Sequence, residues 1–333
     1  MWKDNKKLAV IILNWNGLDL LKKFLPVAVK NTQGPDVDLI VADNGSNDNS
    51  VEWIRENYPD LKLIVFDRNY GFSEGYNKAI SQTGYPFTIL LNSDVEVTPG
   101  WWEPLFDFIE KNPDVGAVQP KIKSYKNKEY FEYAGAAGGY LDALGYPYCR
   151  GRLFDRVEKD EHQYDFKAED VCWASGAALC VRTRLYLDLG GLDQNFFAHM
   201  EEIDLCCRML VAGYRVCALP DSEVFHVGGA SLNKDNPKKT YLNFRNNLLL
   251  LYKNLPVKKR GKLIFWRQVV DSLAFFMFLL KFDTANAKAV IKAHNDYRKM
   301  KHLYPESSTP DNFKFPGTHR KIIFERYILN KRK

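Results

Sequence analysis

The stretch "FTILLNSDVEV", residues 87–97, is an apolar run that ends abruptly in an amide, a hydroxyl and a carboxylate. A strand that is buried on both faces has a continuous apolar sequence, as Phe87–Leu91 does. In open α/β sheets the ligand crevice lies beyond the carboxyl ends of such strands. We therefore expect Asn92, Ser93 and Asp94 to lie at the mouth of a binding site.

Strand-like and helix-like segments alternate on both sides of this stretch, which is the pattern of βαβ units with a parallel sheet. Thr98 and Pro99 resemble a helix N-cap followed by proline at the first helical position, which predicts a helix that ends near Asn112. We predict an α/β fold of the nucleotide-binding type, with a mostly parallel central sheet flanked by helices. The apolar runs are Leu8–Leu13, Leu39–Ala42, Leu61–Phe66 and Phe87–Leu91, and the amphipathic stretches are Leu18–Asn31, Ser50–Asn57 and Ser73–Thr83.

The size and composition of the chain limit its class. Its 333 residues, 46% of them hydrophobic, are enough for one large domain with a full core, or for one domain with an appendage. The six cysteines show no Cys-x-x-Cys spacing, and the N-terminus leads into a short apolar strand rather than a signal sequence. These features predict a reduced, cytoplasmic protein whose cysteines are small buried hydrophobic residues rather than zinc ligands.

The net charge of +6 conceals two parts of opposite sign. Residues 1–233 carry 24 basic and 34 acidic side chains, a net charge of −10, whereas residues 234–333 carry 23 basic and 7 acidic side chains, a net charge of +16. We therefore expect the two parts to face different partners.

The ends of the other predicted strands narrow the chemistry. The first strand ends in Asn14–Gly17, "NWNG", which lacks the Gly-x-Gly-x-x-Gly turn of a dinucleotide site, and the chain has no Gly-x-x-x-x-Gly-Lys-Ser/Thr phosphate loop. The second strand ends in Asp43, a carboxylate that can accept the N–H group of a uracil or thymine ring. The third strand leads into Arg68–Asn77, "RNYGFSEGYN", whose glycines let the backbone approach a ligand closely.

With these motifs the sequence closely resembles the glycosyltransferase family 2 enzymes of the GT-A fold, in particular the bacterial rhamnosyltransferase-like subgroup. The resemblance covers residues 7–255, and the consistent order of the motifs makes it specific. It implies a GT-A catalytic domain at residues 1–255, followed by a helical, basic C-terminal extension at residues 256–333. The motifs in order are "VIILNWNG", "VADNGSND", "NYGFSEGYN", "LLNSDVEV", "ASGAALCVRT", "GGLDQNFFAHMEEIDLCCRMLVAGYRV", "FHVGGAS" and "RNNLLLLYKN".

The resemblance implies an inverting glycosyltransferase that moves a sugar from a dTDP- or UDP-linked donor to a hydroxyl of a saccharide or lipid-linked saccharide acceptor, in cell-surface polysaccharide synthesis. Residues 120–170 are predicted to be a long variable insertion that lines the acceptor side. The sequence does not identify the sugar or the acceptor. The donor-binding residues that the resemblance implies are Asn14, Asp43, Asn69, Gly71, Asn77, Asn92 and Ser93.

The resemblance also implies a divalent cation, Mg²⁺ or Mn²⁺, at the family's Asp-x-Asp motif. Asn92 departs from that motif at the position that faces the ribose, but an amide still bonds a hydroxyl, and Asp94 supplies the hard oxygen that such an ion prefers. Capping of the next turn is the structural alternative for both residues. His226 matches the position of a further metal or diphosphate ligand, with simple loop structure as its alternative. We expect Glu96 to be structural.

Inverting transfer needs a base, and the segment "HMEEIDLCCRM" supplies the candidates. The family has Glu-Asp here, at the start of a helix beneath the acceptor, so Glu202 replaces the usual Asp and inherits the role of base, with Glu201 as the second candidate. Carboxylates near a helix N-terminus also interact favourably with the helix dipole, which is the structural alternative. Arg208 is expected to pair with Asp204 at i,i+4.

Two rival functions stay open. A nucleotidyltransferase that forms sugar nucleotides shares this sheet architecture, but it would be expected to carry a Gly-rich loop with a basic residue where the chain has Asn14–Gly17. A non-catalytic sugar-binding homologue is the other alternative, although the chain has kept the groups that catalysis needs.

The basic C-terminal part contains "LIFWRQVVDSLAFFMFLLKF", Leu263–Phe282, which at about 20 residues is as long as a membrane span. Arg267, Gln268 and Asp271 fall together on one helical face, which argues against spanning and favours a helix in the headgroup region of an anionic bilayer. We predict a protein that is peripheral on the inner face of the plasma membrane. A helix packed on the catalytic domain, or a homodimer contact, is the alternative, and no recognised module points to nucleic acid. The flanking basic residues are Lys258, Lys259, Arg260, Lys262, Lys281 and Lys288.

Overall fold

The computed structural model describes residues 6–133, 135–153, 156–228 and 236–322. The predicted alternation of strands and helices is present through the first third of the chain. The strands are β1 (Leu8–Asn14), β2 (Val37–Asp43), β3 (Lys62–Val65), β4 (Phe87–Asn92), β5 (Val95–Val97), β6 (Val115–Ser124), β7 (Gly139–Leu141), β8 (Pro147–Cys149), β9 (Arg152–Leu153), β10 (Arg156–Val157), β11 (Glu169–Asp170), β12 (Ala178–Arg182) and β13 (Arg215–His226). The α-helices are α1 (Leu18–Asn31), α2 (Ser50–Asn57), α3 (Gly71–Thr83), α4 (Glu103–Lys111), α5 (Thr183–Asp188), α6 (Glu201–Val211), α7 (Pro237–Asn254), α8 (Val257–Leu280) and α9 (Thr284–Met300).

The strands form one central sheet in the order β11-β13-β6-β12-β4-β1-β2-β3, and β5 adds to β13. The half β4-β1-β2-β3 is parallel, as predicted from the continuous apolar runs. Strand β12 is antiparallel to both β4 and β6, and β13 is parallel to β6. Since β1, β2 and β4 run in the same direction, their carboxyl ends meet at one edge of the sheet, where the ligand crevice was expected.

The two faces of the sheet pack into two separate hydrophobic cores. In β1 the side chains of Ala9 and Ile11 enter one core, and those of Leu8, Val10 and Ile12 enter the other. Successive side chains of a strand point to opposite faces, so a strand between two cores must be apolar at every position. This requirement explains why the parallel half of the sheet could be predicted from the sequence.

The helix that was predicted to begin at Thr98 begins instead at Glu103. The hydroxyl of Thr98 donates a hydrogen bond to the Glu223 carbonyl (Oγ1 to O, 2.7 Å), so it ties the end of β5 to β13 and caps no helix. The fully buried Trp101 lies between the two positions, and its burial holds this segment in a turn. The predicted end of the helix is correct, because α4 ends at Lys111.

The segment predicted as a long insertion, residues 120–170, begins with the second half of β6 and then forms a small antiparallel sheet in the order β10-β9-β8-β7. The end of the described chain returns to this sheet. The N–H group of Ala143 donates to the Arg320 carbonyl at 2.8 Å, and the Tyr148 hydroxyl donates to the Gly317 carbonyl at 3.3 Å. The C-terminal part is therefore helical, as predicted, and closes back onto the insertion. All six cysteines are buried and free.

Candidate active site

The carboxyl ends of β1 and β2 are joined by side-chain hydrogen bonds around Asp43. The Asn14 amide donates to Asp43 (Nδ2 to Oδ2, 2.9 Å), and the backbone N–H of Ser46 donates to the other carboxylate oxygen at 2.8 Å. Both Asn14 and Asp43 are fully buried, and Asn14 Oδ1 has no hydrogen-bond partner. A buried acceptor without a partner costs free energy, so this corner of the crevice is suited to a ligand donor.

The loop after β3 is held by Asn44, a residue that was not singled out from the sequence. Its amide donates to Asn69 Oδ1 at 3.0 Å and to the Gly71 carbonyl at 2.9 Å. Gly45 has φ +72° and lies so close to Arg68 that a Cβ atom would be 2.4 Å from its carbonyl carbon. Only glycine fits this approach, which brings the predicted donor residues Asn69 and Gly71 next to the end of β2.

Asn77 of α3 takes part in a different set of contacts. Its Oδ1 accepts hydrogen bonds from the Tyr186 hydroxyl at 2.5 Å and from the Leu192 N–H at 2.9 Å, and its amide donates to the Leu192 carbonyl at 2.8 Å. These bonds attach α3 to the loop before α6. They also occupy both polar atoms of the Asn77 amide, which does not favour a contact with the donor. That contact stays a prediction.

Asn92, Ser93 and Asp94 form the turn between β4 and β5, and neighbouring loops enclose them. The Asn92 N–H donates to the Ala177 carbonyl at 3.0 Å. A Cβ atom added to Gly17 would lie 2.6 Å from Asn14 Oδ1 and 4.0 Å from Ser93 Oγ. The strand ends carrying Asn14, Asp43 and Asn92–Asp94 thus come together as predicted.

Asp94 and His226 are brought into contact by the pairing of β5 with β13. In that pairing Val95 lies opposite His226, which places His226 Nε2 at 3.1 Å from Asp94 Oδ1. Glu132, which the sequence did not single out, lies on the other side of the ring, with Oε2 at 3.6 Å from His226 Nδ1. All three side chains are buried. The loop that follows His226 lies, from Gly229 on, outside the described residues.

The two carboxylates change the charge state of His226. Burial disfavours the imidazolium, but the hydrogen bond to Asp94 and the proximity of Glu132 outweigh burial and raise the pKa of His226 to about 10. A proton thus lies between groups of the types that bind divalent cations, and His226 Nδ1 has no hydrogen-bond partner. Asp94 Oδ1 and His226 Nε2 therefore fit a divalent cation as donors, with Glu132 on the far side of the ring, facing Nδ1.

The predicted base lies at the start of α6, after a loop with an unusual backbone. Phe197, His199 and Met200 have φ angles of +66°, +68° and +78°, a region that side chains other than glycine rarely adopt. Asn246 of α7 holds this loop, because its amide lies within 2.9 Å of the carbonyls of Phe196, Ala198 and His199. Strain of this kind persists only where the surroundings enforce it, and it is common at functional sites.

The two carboxylates of this turn have different proton affinities. Burial raises the pKa of Glu202 to about 7, which is the range in which a general base works. Burial and the neighbouring charge of Glu202 raise the pKa of Glu201 well above its ordinary value. Oε2 of each residue has no hydrogen-bond partner. Glu202 as the base, with Glu201 as the second candidate, stays a prediction.

Contacts around Glu202 connect it to the donor side of the crevice. A Cβ atom added to Gly176 would lie 3.7 Å from Glu202 Cβ and 3.8 Å from Phe72 Cζ, and the next residue, Ala177, accepts the hydrogen bond of Asn92. One turn farther along α6, Asp204 pairs with Arg208 at 2.8 Å, which confirms that prediction.

The sheet topology and the strand-end crevice are those of the GT-A fold. Two solved structures share this fold: GalNAc-T7 with UDP, GalNAc and Mn²⁺ (TM-score 0.62, 16% identity, covering 92% of this chain and 59% of that one), and the mannosyltransferase PcManGT from Pyrobaculum calidifontis with GDP-Man and Mn²⁺ (TM-score 0.54, 14% identity, covering 90% of each chain).

Residues 9–165, just under half of the chain, match the family model of glycosyl transferase family 2, in agreement with the resemblance that the motifs predicted. It is similar to the N-acetylglucosaminyl-diphospho-decaprenol L-rhamnosyltransferase of Mycobacterium tuberculosis, with 28% identity over 248 residues that cover 68% of this chain and 78% of that protein. It is also similar to the low-salt glycan biosynthesis hexosyltransferase Agl10 of Haloferax volcanii, with 21% identity over 73% of this chain and 74% of that protein.

Proposed function

We propose that this glycosyltransferase inverts the anomeric centre, depends on a divalent cation, and transfers a deoxyhexose of the rhamnose type from a dTDP- or UDP-linked donor to a lipid-linked saccharide. The observation that carries the proposal is the pair of sites at one sheet edge. Asp94 and His226 offer donors to a cation, with Glu132 behind the His226 ring, and Glu202 is a half-buried carboxylate whose pKa is about 7. Cation-dependent inverting transfer uses both a base and a cation.

The chain's own residues divide the chemistry between them. Glu202 accepts the proton of the acceptor hydroxyl while that oxygen bonds to the anomeric carbon of the donor. The bond from that carbon to the diphosphate oxygen breaks on the opposite face, and its electron pair leaves with the nucleoside diphosphate. Attack opposite the leaving group inverts the configuration.

On the donor side, Asp94 and His226, with Glu132 behind His226, would hold the cation. When bound, such an ion neutralises the charge that develops on the leaving diphosphate. Asp43 offers a carboxylate to the N–H group of a thymine or uracil ring, and the amide of Asn92 suits a ribose hydroxyl. Asn69 and Gly71 are held beside Asp43 by Asn44.

The substrate classes are proposed by similarity. The Mycobacterium tuberculosis relative is by name an L-rhamnosyltransferase acting on a diphospho-decaprenol-linked sugar, and a relative in Myxococcus xanthus is an O-antigen biosynthesis protein. The first name specifies a sugar that is linked through a diphosphate to decaprenol. We therefore propose a prenyl-diphosphate-linked saccharide as the acceptor class.

The test measures the release of nucleoside diphosphate by the purified full chain. The donors are dTDP-rhamnose and UDP-hexoses, and each is assayed with Mn²⁺, with Mg²⁺ and with excess chelator. Asp94→Asn should abolish turnover and leave the fold intact by circular dichroism. The matched control is Glu96→Gln, two residues away, because Glu96 pairs with Lys128 and is not part of the cation set. Full turnover by Asp94→Asn, or in chelator, would remove the cation from the proposal.

The rival functions give different products in the same assay. A nucleotidyltransferase would release pyrophosphate from a nucleoside triphosphate and a sugar 1-phosphate. A non-catalytic homologue would be stabilised by a nucleotide sugar in a thermal unfolding assay but would release no nucleoside diphosphate. Either result would overturn the proposed function.

A further inference from the structure

Helix α8 reverses the usual arrangement of apolar and charged side chains. It is long and apolar enough to cross a membrane, with a mean hydropathy of 1.7 over its most apolar 18 residues, yet only 17% of that window is buried. The exposed apolar side chains recur at intervals of three and four residues and therefore lie on one helical face. This outer face of α8 consists of Phe265, Trp266, Val269, Leu273, Phe276, Met277 and Leu280.

Arg267 and Asp271, the two charged residues in the apolar stretch of α8, lie on the opposite face, where they are buried. Arg267 pairs with Asp271 at 2.9 Å, and Asp271 Oδ2 lies 3.2 Å from His294 Nε2 of α9. The Arg267 guanidinium lies over the Tyr146 ring at 3.3 Å from its centre, and the Tyr146 hydroxyl donates to Asp271 at 3.2 Å. The polar stripe read from the sequence thus holds α8 to α9 and to the insertion, and it does not face solvent.

Basic side chains surround the outer face. Residues 257–300 carry ten basic and three acidic side chains. Of the three acidic ones, Asp271 is buried in the ion pair described above, Asp283 caps α9 and Asp296 pairs with Lys292. The basic residues that are exposed on α8, on α9 and in the turn between them include Lys259, Lys262, Lys281, Lys288, Arg298 and Lys299.

A groove with cationic walls opens beside the outer face, between the start of α8 and the end of α9. Its volume is about 280 Å³, and Phe265 connects it to the apolar surface. Arg260 lines it and stacks on Tyr252 at 4.1 Å from the ring centre. Arg298 and Lys301 add two more cations from the other wall. A phosphate-sized anion fits the charge of such a groove.

We propose that α8 and α9 form a docking surface for an anionic phospholipid bilayer. The outer face of α8 lies in the bilayer plane at the boundary between headgroups and acyl chains, and the groove formed by Arg260, Arg298 and Lys301 receives a lipid phosphate. An apolar face for insertion with a basic surround for anionic headgroups is the chemistry of an interfacial helix.

The inner contacts of α8 decide its orientation. If α8 crossed a membrane, the Arg267–Asp271 pair would leave Tyr146 and His294 and enter hydrocarbon, where unpaired charge is costly. Lying in the plane keeps these bonds and immerses only the outer face. The helix is therefore parallel to the surface.

Charge decides between a bilayer and a second copy of the chain. A two-fold interface would place the basic surround of one copy against that of its partner, because such an interface uses the same patch on both subunits. Like charges brought together in this way repel, whereas anionic headgroups complement them. A bilayer is therefore the occupant that the charge distribution selects.

The experiment is co-sedimentation of the full chain with vesicles of phosphatidylcholine alone and of phosphatidylcholine mixed with phosphatidylglycerol, at low and high salt. The wild-type chain should pellet with the mixed vesicles and be released by salt. Phe265→Asp combined with Phe276→Asp should lower the partition coefficient at least about tenfold. Both side chains are more than half exposed, at 60% and 58%, so the fold should tolerate the change.

The matched control is Phe166→Asp combined with Leu187→Asp, which places the same charges on exposed apolar residues outside α8 and α9. This variant should bind vesicles like the wild type. Arg260→Glu with Arg298→Glu should weaken binding only to vesicles that contain phosphatidylglycerol. Release of nucleoside diphosphate in the absence of vesicles should be equal in all variants, so failure of the surface is distinguishable from failure of the enzyme.

Three results would overturn the proposal. The wild-type chain could stay in the supernatant with both vesicle types. The Phe265 and Phe276 double variant could bind as well as the control, which would leave no role for the outer face. Sedimentation velocity could show a dimer that dissociates in the double variant while no vesicle binds, which would assign the surface to a second copy.

Discussion

The first turn of α6 and the length of α8 both bury acidic side chains, but they treat the buried charge differently. In α6, Glu201 and Glu202 each have a carboxylate oxygen without a partner. In α8, Asp271 is contacted by Arg267, His294 and Tyr146. Burial alone therefore does not distinguish the two places.

What distinguishes them is whether the protein satisfies the charge. Burial raises the pKa of Glu202 to about 7, because no cation is supplied to it. Burial also disfavours the charge of Asp271, but Arg267 and His294 outweigh it and lower the pKa of that residue. An unsatisfied carboxylate is available to take a proton from a substrate, whereas a satisfied one holds two elements together. The first is suited to chemistry and the second to architecture.

The largest expected effect tests the unsatisfied pair. Glu202→Gln should lower kcat by about 10²–10⁴-fold, the usual contribution of a positioned base, with donor binding close to wild type. Glu201→Gln should cost less, because Glu202 is the proposed base. Steady-state rates of both variants with one donor and one acceptor make the comparison, and a reversed ranking would assign the base to Glu201.

The pH dependence of the wild type is the accompanying control. Glu202 acts without its proton, so kcat/KM should rise as the pH increases through about 7 and then level off. A carboxyl whose pKa is raised in the folded state binds its proton more tightly there than in the unfolded chain. The free energy of unfolding should therefore fall as the pH rises from the ordinary value of 4.5 towards 7. Both slopes should be smaller in Glu202→Gln.

The next effect tests the satisfied charge. Asp271→Asn should lower the free energy of unfolding by about 3 kcal/mol, because it leaves Arg267 buried without its anion. Urea unfolding measures this free energy, and Ser272→Asn at the exposed neighbouring position is the control. Arg267→Met combined with Asp271→Leu should recover most of the loss. An unchanged stability in Asp271→Asn would mean that this pair does not hold α8 in place.

The smallest effect tests how the strained loop before Glu202 is held. Asn246→Ala should lower kcat by about tenfold through misplacement of the base, and the free energy of unfolding by about 1–3 kcal/mol. Asn243→Ala, on the same helix and less buried, is the control. A purely structural role for Asn246 would reduce stability without changing kcat in the folded fraction, which would contradict a positioning role.

Predictions from the sequence succeeded where the physical cause is local. The parallel strands were predicted because a strand between two cores is apolar at every position, and the ends of these strands are polar because they leave the cores. The prediction that a helix begins at Thr98 was wrong. An N-cap signal is also local, and here the burial of Trp101 and the hydrogen bond from Thr98 to β13 overrode that signal.

Long-range pairing set the rest of the site. Glu132 could not be found from the sequence, because it reaches His226 only through the pairing of β6 with β13 and the hydrogen bond of its own N–H group to the Ile122 carbonyl. Asn246 gave one usable signal, since it is one of two amides that lead directly into the apolar run Leu248–Leu251. A buried amide beside such a run must find partners, but which carbonyls it meets depends on how α7 packs on the loop.

The sequence by itself determined the α/β class, the polar strand ends and the carboxylates at the start of α6, because each follows from periodicity or from a contiguous motif. The tertiary structure alone decided which carboxylates stay unsatisfied and which face of α8 points outward. The α8 sequence contains one polar stripe and one apolar stripe, and helical geometry makes both available to the protein interior. Tyr146 and His294, distant in the chain, provide the partners that draw the charged stripe inward and leave the apolar stripe exposed.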